Sequence, residues 1–312
     1  MAQKLAAIMA TAVAAAVLAV TISPALAATA QDDVTSCLRD SGDAAIAACT
    51  RVIASNRYSR SDLALLYNNR GTAYGNNGDF DRAIADYDQA IALDPKMAMP
   101  HLNRGIAYKV KGDLDRAIAD FNQAIALDPK FTLAYFNRGS AYKVKGDLDR
   151  AIADLNQAIA LDPKHAAAYN NRGLAYHDKG DLDRAIADYD RAIALDPKDM
   201  TTYYNRGYAH QDKGDLDRAV ADYDMVILLN PKYTLAYNNR GTVYYAKGDL
   251  AHAIADFSEA ITLDPKNAQL YFNRGTAFKT AGNRNRAIAD FKEAGRLDPK
   301  FALATSIESL RN

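Results

Sequence analysis

Apolar and small side chains along this chain follow two periods at once. Within a stretch such as 98–131, AMPHLNRGIAYKVKGDLDRAIADFNQAIALDPKF, they recur three or four residues apart, the spacing of one face of an α-helix. Over a longer range the whole stretch returns every 34 residues. A glycine after Asn-Arg stands at Gly71, Gly105, Gly139, Gly173, Gly207, Gly241 and Gly275, and a second glycine at Gly78, Gly112, Gly146, Gly180, Gly214, Gly248 and Gly282. A proline closes each unit, from Pro95 and Pro129 through to Pro299. A fixed period of this size signals a repeat architecture and outranks any local signal. Seven units result: 64–97, 98–131, 132–165, 166–199, 200–233, 234–267 and 268–301.

Positions are numbered 1 to 34 within a unit. An aromatic at position 4 (Tyr67, Tyr135, Tyr169, Tyr203, Tyr237, Tyr271, with His101 in the second unit), Gly at 8 and an aromatic ring at 11 share one face of a first helix. Glycine at 8 weakens that helix by about 1 kcal/mol relative to alanine, so a close approach of a partner helix is expected there. Gly at 15 followed by Asp or Asn at 16 ends the first helix and caps the second. The second helix places Ala at 20, an aromatic or Leu at 24 and a small residue at 27 inward, and Pro at 32 stops it. Each unit is therefore predicted to be a helical hairpin, and the chain all-α.

Both ends depart from the pattern. Residues 31–63 read as a degenerate hairpin, with a short first helix near Val34–Asp40, a turn at Gly42 and an apolar stripe of Ile46, Cys49, Val52 and Ile53. Cys37 and Cys49, the only cysteines, bracket that turn. In an oxidising compartment they are expected to form a disulfide, worth about 3 kcal/mol in the chain-entropy picture for so short a loop. Residues 302–312, ALATSIESLRN, carry Leu303, Ile307 and Leu310 at helical spacing and are expected to cap the last hairpin. Polar replacements in the last unit, such as Arg284 for the usual Leu, suit the end of a stacked array.

Residues 1–27, MAQKLAAIMATAVAAAVLAVTISPALA, place Lys4 before an apolar run, then Pro24 and Ala25-Leu26-Ala27. This is the order of a secretory signal peptide, with cleavage expected after Ala27 and a second candidate site at Ala28-Thr29-Ala30. The rival reading is an uncleaved N-terminal anchor. Export to the periplasm or exterior is the expectation, with no stable membrane insertion after cleavage. Charge adds an exclusion: 38 Lys and Arg balance 38 Asp and Glu, and loss of the leader removes only Lys4. Nucleic acid as main partner needs an electropositive footprint that this balance does not provide.

The spacing Tyr67…Gly71…Tyr74…Ala83…Tyr87…Ala90…Pro95, repeated through 64–301, resembles the tetratricopeptide repeat. The resemblance implies an α-solenoid, a right-handed superhelix of stacked helix-turn-helix hairpins with first helices lining a concave groove. It also implies a non-catalytic scaffold or adaptor that binds an extended or helical peptide along that groove. Two alternatives stand beside it: a regulatory or targeting module for an envelope enzyme or assembly complex, and an envelope glycan-binding protein.

Three sets of residues are candidates for function. Position 6 is Asn in every unit (Asn69, Asn103, Asn137, Asn171, Asn205, Asn239, Asn273), on the side of the first helix opposite positions 4, 8 and 11. Asparagine is a poor helix former, so this column needs a reason. It either pairs with the backbone of a bound peptide, through its donor and acceptor, or holds adjacent hairpins together. Position 7 is always Arg (Arg70, Arg104, Arg138, Arg172, Arg206, Arg240, Arg274) and position 23 always Asp (Asp86, Asp120, Asp154, Asp188, Asp222, Asp256, Asp290). These are expected to form structural ion pairs that set register. The variable groove positions, where partner choice can reside, carry Leu102, Ile106, Phe136, Tyr204, Tyr208, Tyr245 and Phe272 beside Lys109, Lys143, His177 and Lys279. The carboxylate clamp of some tetratricopeptide domains is matched only at its asparagines, because positions 2 and 9 hold no Lys or Arg. The five histidines show no metal spacing, and no cofactor or catalytic group is expected.

Overall fold

A computed structural model describes residues 31–55 and 57–301. The leader expected at 1–27 and the cap expected at 302–312 lie outside the described residues. Sixteen α-helices and no strand occur among the described residues. They fall in two compact units, one ending at Pro163 and one starting at Lys164.

The first compact unit stacks four hairpins: α1 (Gln31–Arg39) with α2 (Gly42–Ala54), α3 (Arg60–Asn76) with α4 (Phe80–Leu93), α5 (Ala98–Val110) with α6 (Leu114–Leu127), and α7 (Thr132–Val144) with α8 (Leu148–Leu161). The second also holds four: α9 (Ala166–Asp178) with α10 (Leu182–Leu195), α11 (Met200–Asp212) with α12 (Leu216–Leu229), α13 (Thr234–Ala246) with α14 (Leu250–Leu263), and α15 (Ala268–Thr280) with α16 (Arg284–Leu297). Each second helix packs on its own first helix and, within a compact unit, on the first helix of the next hairpin. The fold is an α-solenoid.

The α5–α6 hairpin shows why these residues fold this way. Gly112 adopts φ +84°, and the amide of Asp113 donates to the carbonyl of Tyr108 at 2.9 Å, closing the end of α5. Asp113 then caps α6, its side chain accepting from the amide of Arg116 at 3.0 Å. Along α5, Gly105 lies directly against the buried ring of Phe121. A Cβ on it would fall 2.6 Å from that ring and 3.1 Å from the carbonyl of Ala117. The helix cost of glycine is thus offset by burial of a whole phenyl ring, roughly 2–3 kcal/mol. Among the 34-residue units the last departs from the others at its turn: Asn283 makes no side-chain cap bond, and Arg284 is exposed.

The N-terminal hairpin uses the same kinds of contact in reduced form. Cys37 and Cys49 are joined by a disulfide across the α1–α2 turn, with Val34, Val52 and Leu66 packed around them. Helix α3 begins at Arg60, one helical turn inside the segment 31–63. The reason is Ser59, whose side chain accepts from the amide of Asp62 at 3.2 Å and starts the helix early.

Candidate interaction surface

Arginine at position 7 organises each hairpin. Nε of Arg104 donates to Asp120 Oδ2 at 2.9 Å and Nη2 donates to Oδ1 at 2.7 Å. The same two-pronged bond joins Arg70 to Asp86, Arg138 to Asp154, Arg172 to Asp188, Arg206 to Asp222, Arg240 to Asp256 and Arg274 to Asp290, at 2.6–3.2 Å. These aspartates are all buried. Burial works to raise the pKa of Asp120, but hydrogen bonds from Arg104 and His101 outweigh it and hold the carboxyl below its usual range. The remaining guanidinium nitrogen, Nη1, reaches back to the preceding second helix at position 25. Arg138 donates there to Asn122 at 2.6 Å, Arg206 to Asp190 at 2.6 Å and Arg274 to Ser258 at 3.1 Å, while Arg104 meets Asp88 and Arg240 meets Asp224. One side chain therefore ties three helices together. Arg70 makes the equivalent bond to Thr50 of the N-terminal hairpin at 3.1 Å.

Four members of the asparagine column spend an amide hydrogen on the preceding hairpin. Nδ2 of Asn103 donates to Asn68 Oδ1 at 3.0 Å, Asn205 to Asn170 at 3.0 Å and Asn273 to Asn238 at 2.8 Å, while Asn239 donates to the Tyr204 hydroxyl at 2.9 Å. In each case the acceptor sits at position 5 of the preceding unit. Where position 5 is Leu102, the bond is absent: Asn137 is buried, donates to the carbonyl of Leu133 at 2.9 Å and accepts from Lys109 Nζ at 2.7 Å. Lys109 is half-buried, and desolvation pushes its pKa down to about 8. Asn69 accepts from Asn68 at 3.4 Å. The first helix of 166–199 holds Asn171, half-buried.

The variable residues divide into two groups. Leu102 and Ile106 are buried with Ala134, Ala141 and Tyr142, so the next hairpin covers them and they leave almost no surface for a partner. Phe272 lies between the rings of Phe291 and Phe301, at 5.6 and 5.2 Å, inside the last hairpin. Tyr204 is half-buried, its ring edge-on to Tyr233 at 5.6 Å. Phe136 and Lys143 are half-buried, and Val144 is exposed. Tyr208 is 44% exposed, Leu235 is 42% exposed, and Lys279 is also exposed. The hydroxyl of Tyr245 lies 2.9 Å from Thr280 Oγ1.

Two contact columns were not singled out from the sequence: position 25, which receives Nη1, and the lysines at position 14. Lys111 pairs with Asp81, Lys145 with Asp115, Lys213 with Asp183 and Lys247 with Asp217, each linking adjacent hairpins at their turns. Their 30-residue separation recurs through the middle of the array and was the available signal. No group of three or more His, Cys, Asp or Glu among the described residues is arranged to hold a metal. No helix among them is long and apolar enough to cross a membrane.

Comparison with known proteins agrees with this construction. Family profiles described as "Tetratricopeptide repeat" match residues 68–130, 121–153, 201–233 and 268–301. A further profile, described as "TPR repeat", matches 139–180, 173–214 and 241–282. No curated protein matches the chain significantly. Among solved structures, a tetratricopeptide repeat protein from Parabacteroides merdae is 22% identical, with a TM-score of 0.58 over 80% of this chain and 100% of its own. PilW, a type IV pilus biogenesis factor, is 21% identical, with a TM-score of 0.59 over 65% of this chain and 94% of its own. YrrB, a TPR protein with an unusual peptide-binding site, is 23% identical, with a TM-score of 0.50 over 57% of this chain and 92% of its own. At these identities the likeness concerns the fold.

Proposed function

From the premise that this chain belongs to the tetratricopeptide repeat family, we propose that it is an exported, non-catalytic scaffold that holds an extended or helical segment of a partner protein along its first helices. One observation carries the reading. The glycine, arginine and aspartate positions that build the hairpins are the same in every unit, whereas the positions of Val144, Tyr208, Leu235 and Lys279 vary between units and these four residues are exposed. Side chains that vary and stay open are where a partner can be chosen. The asparagine column keeps the hairpins in register through its amides and can still present carbonyl oxygens to a peptide backbone. The Cys37–Cys49 disulfide supports an oxidising compartment, as the leader does.

Immobilised mature protein is the test, exposed in parallel to an envelope extract and to a panel of envelope glycans. The reading expects retention of a protein that a synthetic segment of that same protein competes off. Retention of glycans alone would overturn it in favour of a sugar-binding role.

A further inference from the structure

The asparagine bonds between first helices are interrupted where α7 follows α5. Asn103 finds its acceptor in Asn68, but position 5 of the next step is Leu102, whose side chain accepts nothing. Asn137 therefore bonds elsewhere. Its Nδ2 donates to the carbonyl of Leu133 at 2.9 Å, and its Oδ1 accepts from Lys109 Nζ at 2.7 Å. The head of this lysine is held by a neutral amide.

Nearby cations are held by carboxylates. Lys111 and Lys145 each meet an aspartate at a turn, and Arg104 and Arg138 each hold a buried one. His177, which shares position 12 with Lys109, lies 3.0 Å from Asp212. Lys109 is half-buried, with Asn137 as its hydrogen-bond partner and no carboxylate among the described residues. Burial is the whole cause of its lowered pKa; the groups in register with it, Gly75 on α3 and Lys143 on α7, do not act on that value. An ammonium has three donors, and one is used here. A partly desolvated cation without a counter-ion is unfavourable, and a carboxylate brought by a partner would relieve it.

We propose that Lys109 receives the side-chain carboxylate of an aspartate or glutamate inside the partner segment. First helices α3 and α7 touch α5 on either side, so a segment laid along them passes Lys109 in mid-course and does not end on it. Val110, next in the chain, is half-buried, and Val144, its counterpart on α7, is 65% exposed. The acidic residue is therefore expected beside an apolar one. A basic residue at the same place would meet like charge and be rejected. This inference rests on the reading of the first helices as a peptide site, and it names the partner's chemistry at one point of that site.

A randomised decapeptide library displayed on phage tests it, selected in parallel on the mature protein and on its Lys109→Met variant. The unchanged protein should enrich Asp or Glu at one position beside apolar residues, and the variant should lose the acid while keeping its apolar neighbours. The most enriched sequence, labelled at its N-terminus and amidated at its C-terminus, is then compared by fluorescence anisotropy with its Gln or Asn counterpart. The acidic form should bind about tenfold more tightly at pH 7, the worth of one charge-assisted hydrogen bond. That advantage should shrink several-fold by pH 9, because the ammonium loses its proton near pH 8 while the amide peptide is indifferent. Lys109→Arg should keep the preference and lose its pH dependence, which a purely structural role for Lys109 does not produce. Enrichment without an acid, an acid preference that survives Lys109→Met, or a preference for a free C-terminal carboxylate would overturn the docking point and leave the peptide-scaffold reading standing. If no sequence is enriched, both fall.

Discussion

Replacing Arg240 with alanine should be among the most damaging single changes available in this chain. Arg240 donates to both oxygens of Asp256, at 2.8 and 2.7 Å, reaches back to Asp224, and lies 5.7 Å from the ring of Tyr237. Asp256 is 6% exposed. Truncating the arginine leaves that carboxylate buried without its counterion, which costs about 3–5 kcal/mol. The link to Asp224, half exposed, adds at most about 1 kcal/mol. Most of the loss comes from stranding a charge rather than from losing an attraction. Neutralising the stranded group should therefore restore much of it, and Arg240→Met with Asp256→Asn should recover more than half. Urea unfolding followed by circular dichroism gives the global change. Native-state hydrogen exchange across 234–267 shows whether that hairpin opens separately, because an array held by nearest-neighbour contacts need not unfold in one step. A loss below about 1 kcal/mol for Arg240→Ala, or a double variant no better than the single one, would refute the argument that these pairs hold register through burial.

Further outcomes follow from other contacts. Gly105→Ala should destabilise the α5–α6 hairpin by about 1–3 kcal/mol, because its Cβ would fall 2.6 Å from Phe121; thermal unfolding against Gly112→Ala, where only the positive φ is at stake, separates overpacking from backbone strain. His210 is buried, and desolvation first, then Arg218 and Arg206 against Asp222 and Asp215, hold its pKa below 6.5. Because the folded value lies below the unfolded one, the favourable contribution is present above pH 6.5 and is lost as pH falls through the folded value; His210→Phe should flatten that part of a stability–pH curve. Reduction of Cys37–Cys49 should weaken the N-terminal hairpin by about 3 kcal/mol, and two free thiols in the unreduced mature protein would contradict the bond.

What was legible in the sequence is what repeats. Gly105 against Phe121 follows from a constant glycine that a helix would otherwise reject, and Arg104 with Asp120 follows from two constant columns 16 residues apart. What depends on the approach of the next hairpin was not legible. Leu102 and Ile106 lie on an outward face when one helix is considered alone, yet the following hairpin buries them. The asparagines have the same limit. The column is constant, but the acceptor that four of its members find at position 5 changes among Asn68, Asn170, Tyr204 and Asn238, and Asn137 turns to Leu133 instead, so the partner emerges only once the hairpins are stacked. The Tyr189 hydroxyl is the extreme case, since only the arrangement of its neighbours shows that it has no acceptor.

The claim that a partner lies along the first helices is tested most directly by hydrogen–deuterium exchange of the mature protein with and without its captured partner. Bound partner should protect first helices, with the strongest effect in Thr132–Val144 and Met200–Asp212. Protection confined to second helices such as Leu182–Leu195, or no protection in either set, would contradict the account.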